Sequence, residues 1–206
     1  MEFSETVRQR QSVKRYETGV PISDQELALL FEETILSPSS FNMQHWRFVA
    51  VRDHETKVKL REAAWNQEQL ETCSAVIAVC AKLDAHKDAR QIYASEPEAV
   101  QARLVPMITE FYGRDAQLQR DEAIRSAALA SMTFMLSAKN RGWDTCPMIG
   151  FDVNAVNGIL GLPPNCPPVM IIVLGKALGE SRPRASRLPL SHVVHLEQFD
   201  GPALKS

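Results

Sequence analysis

Ser37-Pro38-Ser39-Ser40-Phe41-Asn42-Met43-Gln44-His45-Trp46 is a dense run of hydroxyls and amides between an apolar helix and an apolar strand. Such a loop is poorly suited to a core, because every buried polar head needs a partner. It is well suited to reading the polar edge of a flat ligand. Asn and Gln each carry an acceptor oxygen and two donor hydrogens on a planar head, so a heterocycle with alternating C=O and N–H groups matches them. Upstream, Leu27, Leu30, Phe31 and Thr34 recur at helical spacing behind the capping box Ser23-Asp24-Gln25-Glu26, and the helix ends before Pro38. Downstream, Arg47 to Val51 reads as a strand.

A second polar stretch, Arg10-Gln11-Ser12-Val13-Lys14-Arg15, supplies a complementary half. In an extended chain side chains alternate between faces, so Arg10, Ser12 and Lys14 point the same way and Arg15 points away. Two cations and a hydroxyl converging on one spot make a phosphate site. The competing reading is a solvated basic turn after a short helix over residues 3–10.

Outward from these stretches the chain is ordinary in composition. Its 206 residues fit one domain, 1–206, with a lid-like excursion around 82–120. About 70% of the unfolded surface of such a chain can be buried without staples. A net charge of −2 argues against a nucleic-acid surface. Cys73, Cys80, Cys146 and Cys166 show neither C-x-x-C spacing nor a neighbouring His at metal-ligand spacing, which fits reduced thiols and no metal. No apolar run approaches the roughly 20 residues that span a bilayer, and the N-terminus does not read as a signal peptide. The expectation is a cytoplasmic protein with no membrane partner.

The remaining elements are predicted as follows. His54 to Ala64 is a charged helix and 67–73 a short one. Ala75 to Ala81 lacks alternation, so it is a strand covered on both faces. A helical pattern surrounds Val100, Leu104, Met107, Ile108 and Phe111. Asp121 to Arg141 is a long helix, apolar around most of its circumference and stopped by Gly142. A subunit interface is the economical way to bury such a helix. Asp152 caps a helix over 153–160, Val169 to Gly175 is a second buried strand, and the apolar tail from His192 to Phe199 is a candidate edge strand. The class is α+β, with a mixed central sheet flanked by helices.

Five pieces, in order over residues 8 to 189, resemble the nitroreductase family of FMN-dependent oxidoreductases. They are Arg10-x-Ser12-x-Lys14, Ser37-Pro38-Ser39-Ser40-x-Asn42-x-Gln44-x-Trp46, Asn66-x-x-Gln69, Pro147-Met148-Ile149-Gly150-Phe151-Asp152 and Ser186-Arg187-Leu188-Pro189. The resemblance implies a three-layer fold and an intertwined homodimer with two FMN sites at the interface. It implies that Arg10, Gln11, Ser12, Lys14 and Arg187 hold the phosphate and ring edge. It gives Pro38, Ser39, Ser40 and Asn42 to the flavin held mainly by the other subunit. Asn66 and Gln69 take the pyrimidine side; Pro147, Met148, Ile149 and Gly150 form a strip beneath N5, where a backbone N–H of Ile149 or Gly150 meets the ring. Trp46 reads as core.

The chain departs from the family pattern at three places. Ala185 stands where the family commonly has Lys, with Arg182 or Arg184 as possible substitutes. Gln69 stands where Lys is frequent, offering a hydrogen bond without a full charge. Ile149 replaces a frequent Glu, making the pocket less acidic.

The implied reaction passes hydride from NADH or NADPH through flavin N5 to a small-molecule electron acceptor, a nitroaromatic, quinone or similar electrophile, in ping-pong order. No protein acid or base is required, so no catalytic side chain is expected. The alternatives are a specialised reductase or dehalogenase of one metabolite and a non-enzymatic flavin-binding protein. No adenine-site motif distinguishes NADH from NADPH, and Ser12 lacks a nucleophile-elbow context.

Overall fold

The computed structural model describes residues 1–179 and 183–204. Its centre is a four-stranded sheet in the order β1 (Trp46–Val51), β2 (Ala75–Ala81), β4 (Pro168–Gly175), β3 (Asp144–Met148). All seven residues of β2 are buried, as its unbroken apolar run requires. On one face Ala75, Ile77, Val79, Ile172 and Leu174 meet α2 (Asp24–Thr34) and α7 (Ala116–Asn140) through Leu27, Leu30, Ala123, Ala127 and Phe134. On the other face Val76, Ile171 and Val173 meet Leu60 of α3 (His54–Ala63), Leu70 of α4 (Gln69–Thr72) and Val156 of α8 (Val153–Leu160). Helix, sheet and helix make three layers.

Where a mixed sheet was expected, the four strands pair antiparallel throughout. The parallel contribution is an isolated bridge between Ser12 and Thr145, where the Val13 N–H donates to the Thr145 carbonyl at 3.0 Å. A run that is apolar on both faces specifies burial, not direction. This one bridge nevertheless hangs the Arg10–Arg15 stretch on the edge strand β3.

The local stop and start signals act as read. Ser23 and Glu26 cap each other's backbone at the start of α2. The Asp152 side chain accepts from the Ala155 N–H at 3.0 Å to start α8. Gly142 turns the chain with φ +77°, a region that costs glycine no side-chain clash. Helix α7 begins before the expected Asp121 because the Asp115 side chain caps it, accepting from the Gln117 N–H at 2.8 Å. One side of α7 is core; Leu129 and Met132 remain open, as do Ile35 and Leu36 just past α2.

The excursion holds α5 (Ala89–Ile92) and α6 (Glu98–Gly113). Ile108 and Tyr112 of α6 pack with Met43, Ala85 and Ala89, so the segment rests on the back of the 37–46 loop. Among the described residues the tail adds no strand to this chain's own sheet: after α9 (Leu190–Val193) it folds on itself through a bridge between His195 and Ala203.

Candidate active site

The Arg10–Arg15 stretch is extended, with Val13 and Tyr16 buried and Ser12, Lys14 and Arg15 exposed. That alternation sends Ser12 and Lys14 outward together, while Gln11 is half-buried. The C-terminal segment returns to this point. The Arg184 guanidinium donates to the carbonyls of Arg8, at 2.8 Å, and Arg10. Arg187 braces its own turn through the Ala185 and Ser186 carbonyls. Burial, then the nearby Arg184 and Arg187 charges, hold the Arg10 pKa below its usual value. Burial raises the Cys146 thiol, opposed by Lys14 and then Arg10. Arg184 and Arg187 thus lie near Arg10, and Arg10 and Lys14 flank Ser12, which bridges Thr145 on β3. Among the described residues none of the four is in an ion pair. Gathering cations costs repulsion that an oxyanion removes. Arg184, one of the two substitutes expected for the vacant Lys position, spends its guanidinium on backbone carbonyls, and Arg182 lies outside the described residues.

The 37–46 loop is tied from behind. The Ser37 hydroxyl donates to the Thr34 carbonyl at 2.7 Å and lies 2.7 Å from the Thr133 hydroxyl on α7. The Ser39 hydroxyl accepts from the Gln44 N–H at 2.9 Å. Phe41, Asn42 and Gln44 hold φ of 51°, 52° and 48°, and Trp65 and Asn66 hold 55° and 58°. Left-handed backbone in residues with side chains costs on the order of 1 kcal/mol each and persists where its surroundings over-determine it. Of the described non-glycine residues with positive φ, only Glu197 lies outside these two loops. Pro38 and Asn42 are exposed, Ser39 and Ser40 half-buried, and Trp46 is core, as read.

Beneath the loop, His45 packs against the Tyr112 ring at 5.9 Å, and His86 stacks on Tyr112 at 5.9 Å. The His45 Nδ1 and the Tyr112 hydroxyl are buried without hydrogen-bond partners. Burial pushes the His45 pKa down to about 4.

The other two predicted pieces meet each other. Gln69 is only 7% exposed. Its Nε2 donates to the Gln67 Oε1 at 3.0 Å and lies 3.5 Å from the Met148 Sδ. The Gln67 Nε2 donates in turn to the Gly150 carbonyl at 3.2 Å. A Cβ on Gly150 would sit 2.7 Å from the Trp65 Cζ3, so only glycine allows this approach. Ile149 and Trp65 are 79% and 71% exposed beside it, and Asn66 is exposed too. Among the described hydrogen bonds outside regular strands, neither the Ile149 nor the Gly150 N–H is a donor. Gln67 and Trp65 were missed in the sequence. The available signal was their position on either side of Asn66, an aromatic and an amide inside a polar loop.

Residues 7–176 match the Nitroreductase family model. The chain belongs to the nitroreductase family. MhqN of Bacillus subtilis, named as an NAD(P)H nitroreductase, is 40% identical over 94% of this chain and 98% of its own. DrgA of Synechocystis is 37% identical over 95% of this chain and 96% of its own. A nitroreductase-named protein of Exiguobacterium sibiricum, solved in complex with FMN, superposes with a TM-score of 0.90 at 35% identity, covering 96% and 98% of the two chains. The nitroreductase resemblance read from five short motifs is thereby borne out over the full length of the fold. Among the described residues no helix is long and apolar enough to cross a membrane.

Proposed function

We propose that the chain is an FMN-dependent oxidoreductase that takes hydride from NADH or NADPH and passes it to an electrophilic acceptor such as a nitroaromatic or quinone, in ping-pong order. The observation that carries this reading is the set of cations Arg10, Lys14, Arg184 and Arg187, none of them in an ion pair among the described residues, together with two strained polar loops. The cations fit a phosphate, and the loops fit a flat heteroaromatic edge. The FMN-bound relative and the NAD(P)H nitroreductase name of MhqN agree with it.

Bound flavin would supply the hydride-accepting N5; the protein supplies position. Arg10, Ser12, Lys14 and Arg187 hold the phosphate, with Gln11 beside them, and Arg184 fixes the C-terminal segment against the end of α1 (Phe3–Gln9). Asn66 and Gln69 line the pyrimidine side. The strip Pro147, Met148, Ile149 and Gly150 would line the ring, with the Ile149 and Gly150 N–H groups, which donate to no described partner outside the strands, offered to N5. Trp65 and Ile149 give the acceptor an apolar platform. Pro38, Ser39, Ser40 and Asn42 reach the flavin of a second copy.

That second copy is part of the proposal. Ile35, Leu36, Leu129 and Met132, together with the apolar tail, are exposed in the single chain, and a homodimer would cover them. The excursion 82–120, within a single domain 1–206, would roof the site. A cytoplasmic enzyme with reduced thiols completes the account. Steady-state kinetics with varied NADH and a quinone check the reaction order: parallel double-reciprocal lines are expected, and an intersecting pattern contradicts the ping-pong scheme.

A further inference from the structure

Lys57 stands three residues before Leu60 on the inward face of α3, where a helix of this kind carries apolar side chains, and it is 7% exposed. Among the described residues it is in no ion pair. Its ammonium donates to the Cys73 carbonyl at 2.7 Å. That contact uses one of three N–H donors and supplies no negative charge. A buried cation without a counter-ion is destabilising, and a neutral donor would satisfy the same carbonyl without that penalty. Clipping α3 to the chain ahead of β2 therefore does not account for a lysine at this position.

Lys57 lines a cavity of about 580 Å³ between the 18–22 loop, the start of α3 and the chain entering β2. Small-molecule sites have this size. Val20, Pro21 and Ile22 give it an apolar wall. Ser74 lines it as well; this residue is 8% exposed, and its hydroxyl is buried without a hydrogen-bond partner. The other charges at the cavity are matched. Arg52 pairs with Asp24 at 2.5 Å, Glu71 pairs with Arg61 at 2.5 Å, and the His54 Nε2 lies 3.9 Å from Glu71. Lys57 alone adds charge without a match. The cavity is also remote from Gly150: His54 opens α3 beside it, and Trp65 follows the far end of that ten-residue helix, about 15 Å away at about 1.5 Å per residue.

We infer that this cavity is a second binding site, which takes a small organic anion: a carboxylate or a phosphate monoester on a compact apolar body. The oxyanion accepts from the Lys57 ammonium and the Ser74 hydroxyl, and the body lies against Val20, Pro21 and Ile22. One ligand thus gives Lys57 its counter-charge and Ser74 its acceptor, two needs that arise on different elements, α3 and the chain entering β2. The matched pairs Arg52–Asp24 and Arg61–Glu71 stay as they are, so the anion meets a net positive wall. The site stands independently of the flavin reading, since none of its residues belongs to the phosphate or ring contacts.

The test is isothermal titration of the full chain with benzoate, with phenyl phosphate and, as a neutral isostere, with benzamide. FMN is present in excess, so that its phosphate competes for the cations around Arg10. At least one of the two anions should bind, at one per chain, and benzamide should not. Lys57→Met should weaken that binding by about 10- to 100-fold, the worth of a charge-assisted hydrogen bond. Ser74→Ala should weaken it by about 2- to 10-fold, the worth of a neutral one, and serves where Lys57→Met does not fold. Binding of benzoate alone or of phenyl phosphate alone supports the site and tells which oxyanion it takes. Binding of neither anion, benzamide binding as tightly as benzoate, or anion binding that neither substitution weakens overturns the inference.

Discussion

Replacing His45 by Phe should remove one defined part of the pH dependence of stability. His45 is 1% exposed, its Nδ1 has no partner, and Tyr112 covers its ring. Burial is the main cause of its pKa falling from 6.5 to about 4; the Glu122 charge opposes this, and His86 and Arg47 add to it. The folded state thus resists a proton that the unfolded chain accepts. Between about pH 6.5 and 4 the unfolded chain binds more protons, so stability rises with pH across that window and is lost as pH falls through it. A difference of 2.5 units at 1.36 kcal/mol each gives about 3 kcal/mol at full extent. Phe keeps a ring against Tyr112, cannot titrate, and sacrifices no hydrogen bond. Urea unfolding of the apoprotein at fixed protomer concentration, at intervals from pH 7.5 to 4, gives the two curves. The native advantage over His45→Phe should shrink by about 3 kcal/mol from the top of that range to the bottom. His86 is also pushed down by burial but is present in both proteins, so it cancels. A difference between the two proteins that stays flat with pH refutes the reasoning.

Three further outcomes follow from the site. Gln69→Lys should raise the flavin midpoint potential in an anaerobic redox titration, because a cation favours the reduced, more negative ring; an unchanged or lower potential contradicts the placement of residue 69. Arg10→Ala or Arg187→Ala should weaken FMN binding by about 10- to 100-fold, the worth of a charge-assisted hydrogen bond, as measured by fluorescence quenching of FMN. Gly150→Ala should destabilise the protein by about 1 kcal/mol through its approach to Trp65, and the cost should vanish in a Trp65→Ala background, where the 2.7 Å contact is gone; equal costs in both backgrounds in thermal unfolding would show that Trp65 is not the obstacle.

The parts of the fold that were legible are those whose physics is local. The Ser23–Glu26 box, the Asp152 cap and the Gly142 stop are each made by neighbouring residues. The burial of β2 follows from its own apolar run. Strand direction was not legible, because Ala75–Ala81 reads the same in either pairing. The early start of α7 was hidden because Asp115 and Asp121 both offer a cap and the residues between them are mostly polar. At the candidate site, residue type and spacing singled out Arg10, Ser12, Lys14, Asn66 and Gln69 as candidates. The orientation of Gln69 was not legible, since it depends on the Gly150 carbonyl, 83 positions from Gln67 in the chain. Arg184 was named in the sequence as a substitute cation, but its contacts were not legible, because its partners are backbone carbonyls at the end of α1, which a residue code does not display.

Arg10, Lys14 and Arg187 and the strained loops would together hold a flavin that nicotinamide reduces. The visible absorption spectrum of the purified protein, supplied with FMN and then with anaerobic NADH and NADPH in turn, tests this most directly. The expected result is a protein-bound flavin spectrum that bleaches with at least one nicotinamide and returns when a quinone or nitroaromatic is added. A protein that takes up no FMN, or whose bound FMN neither nicotinamide bleaches, would contradict that reading.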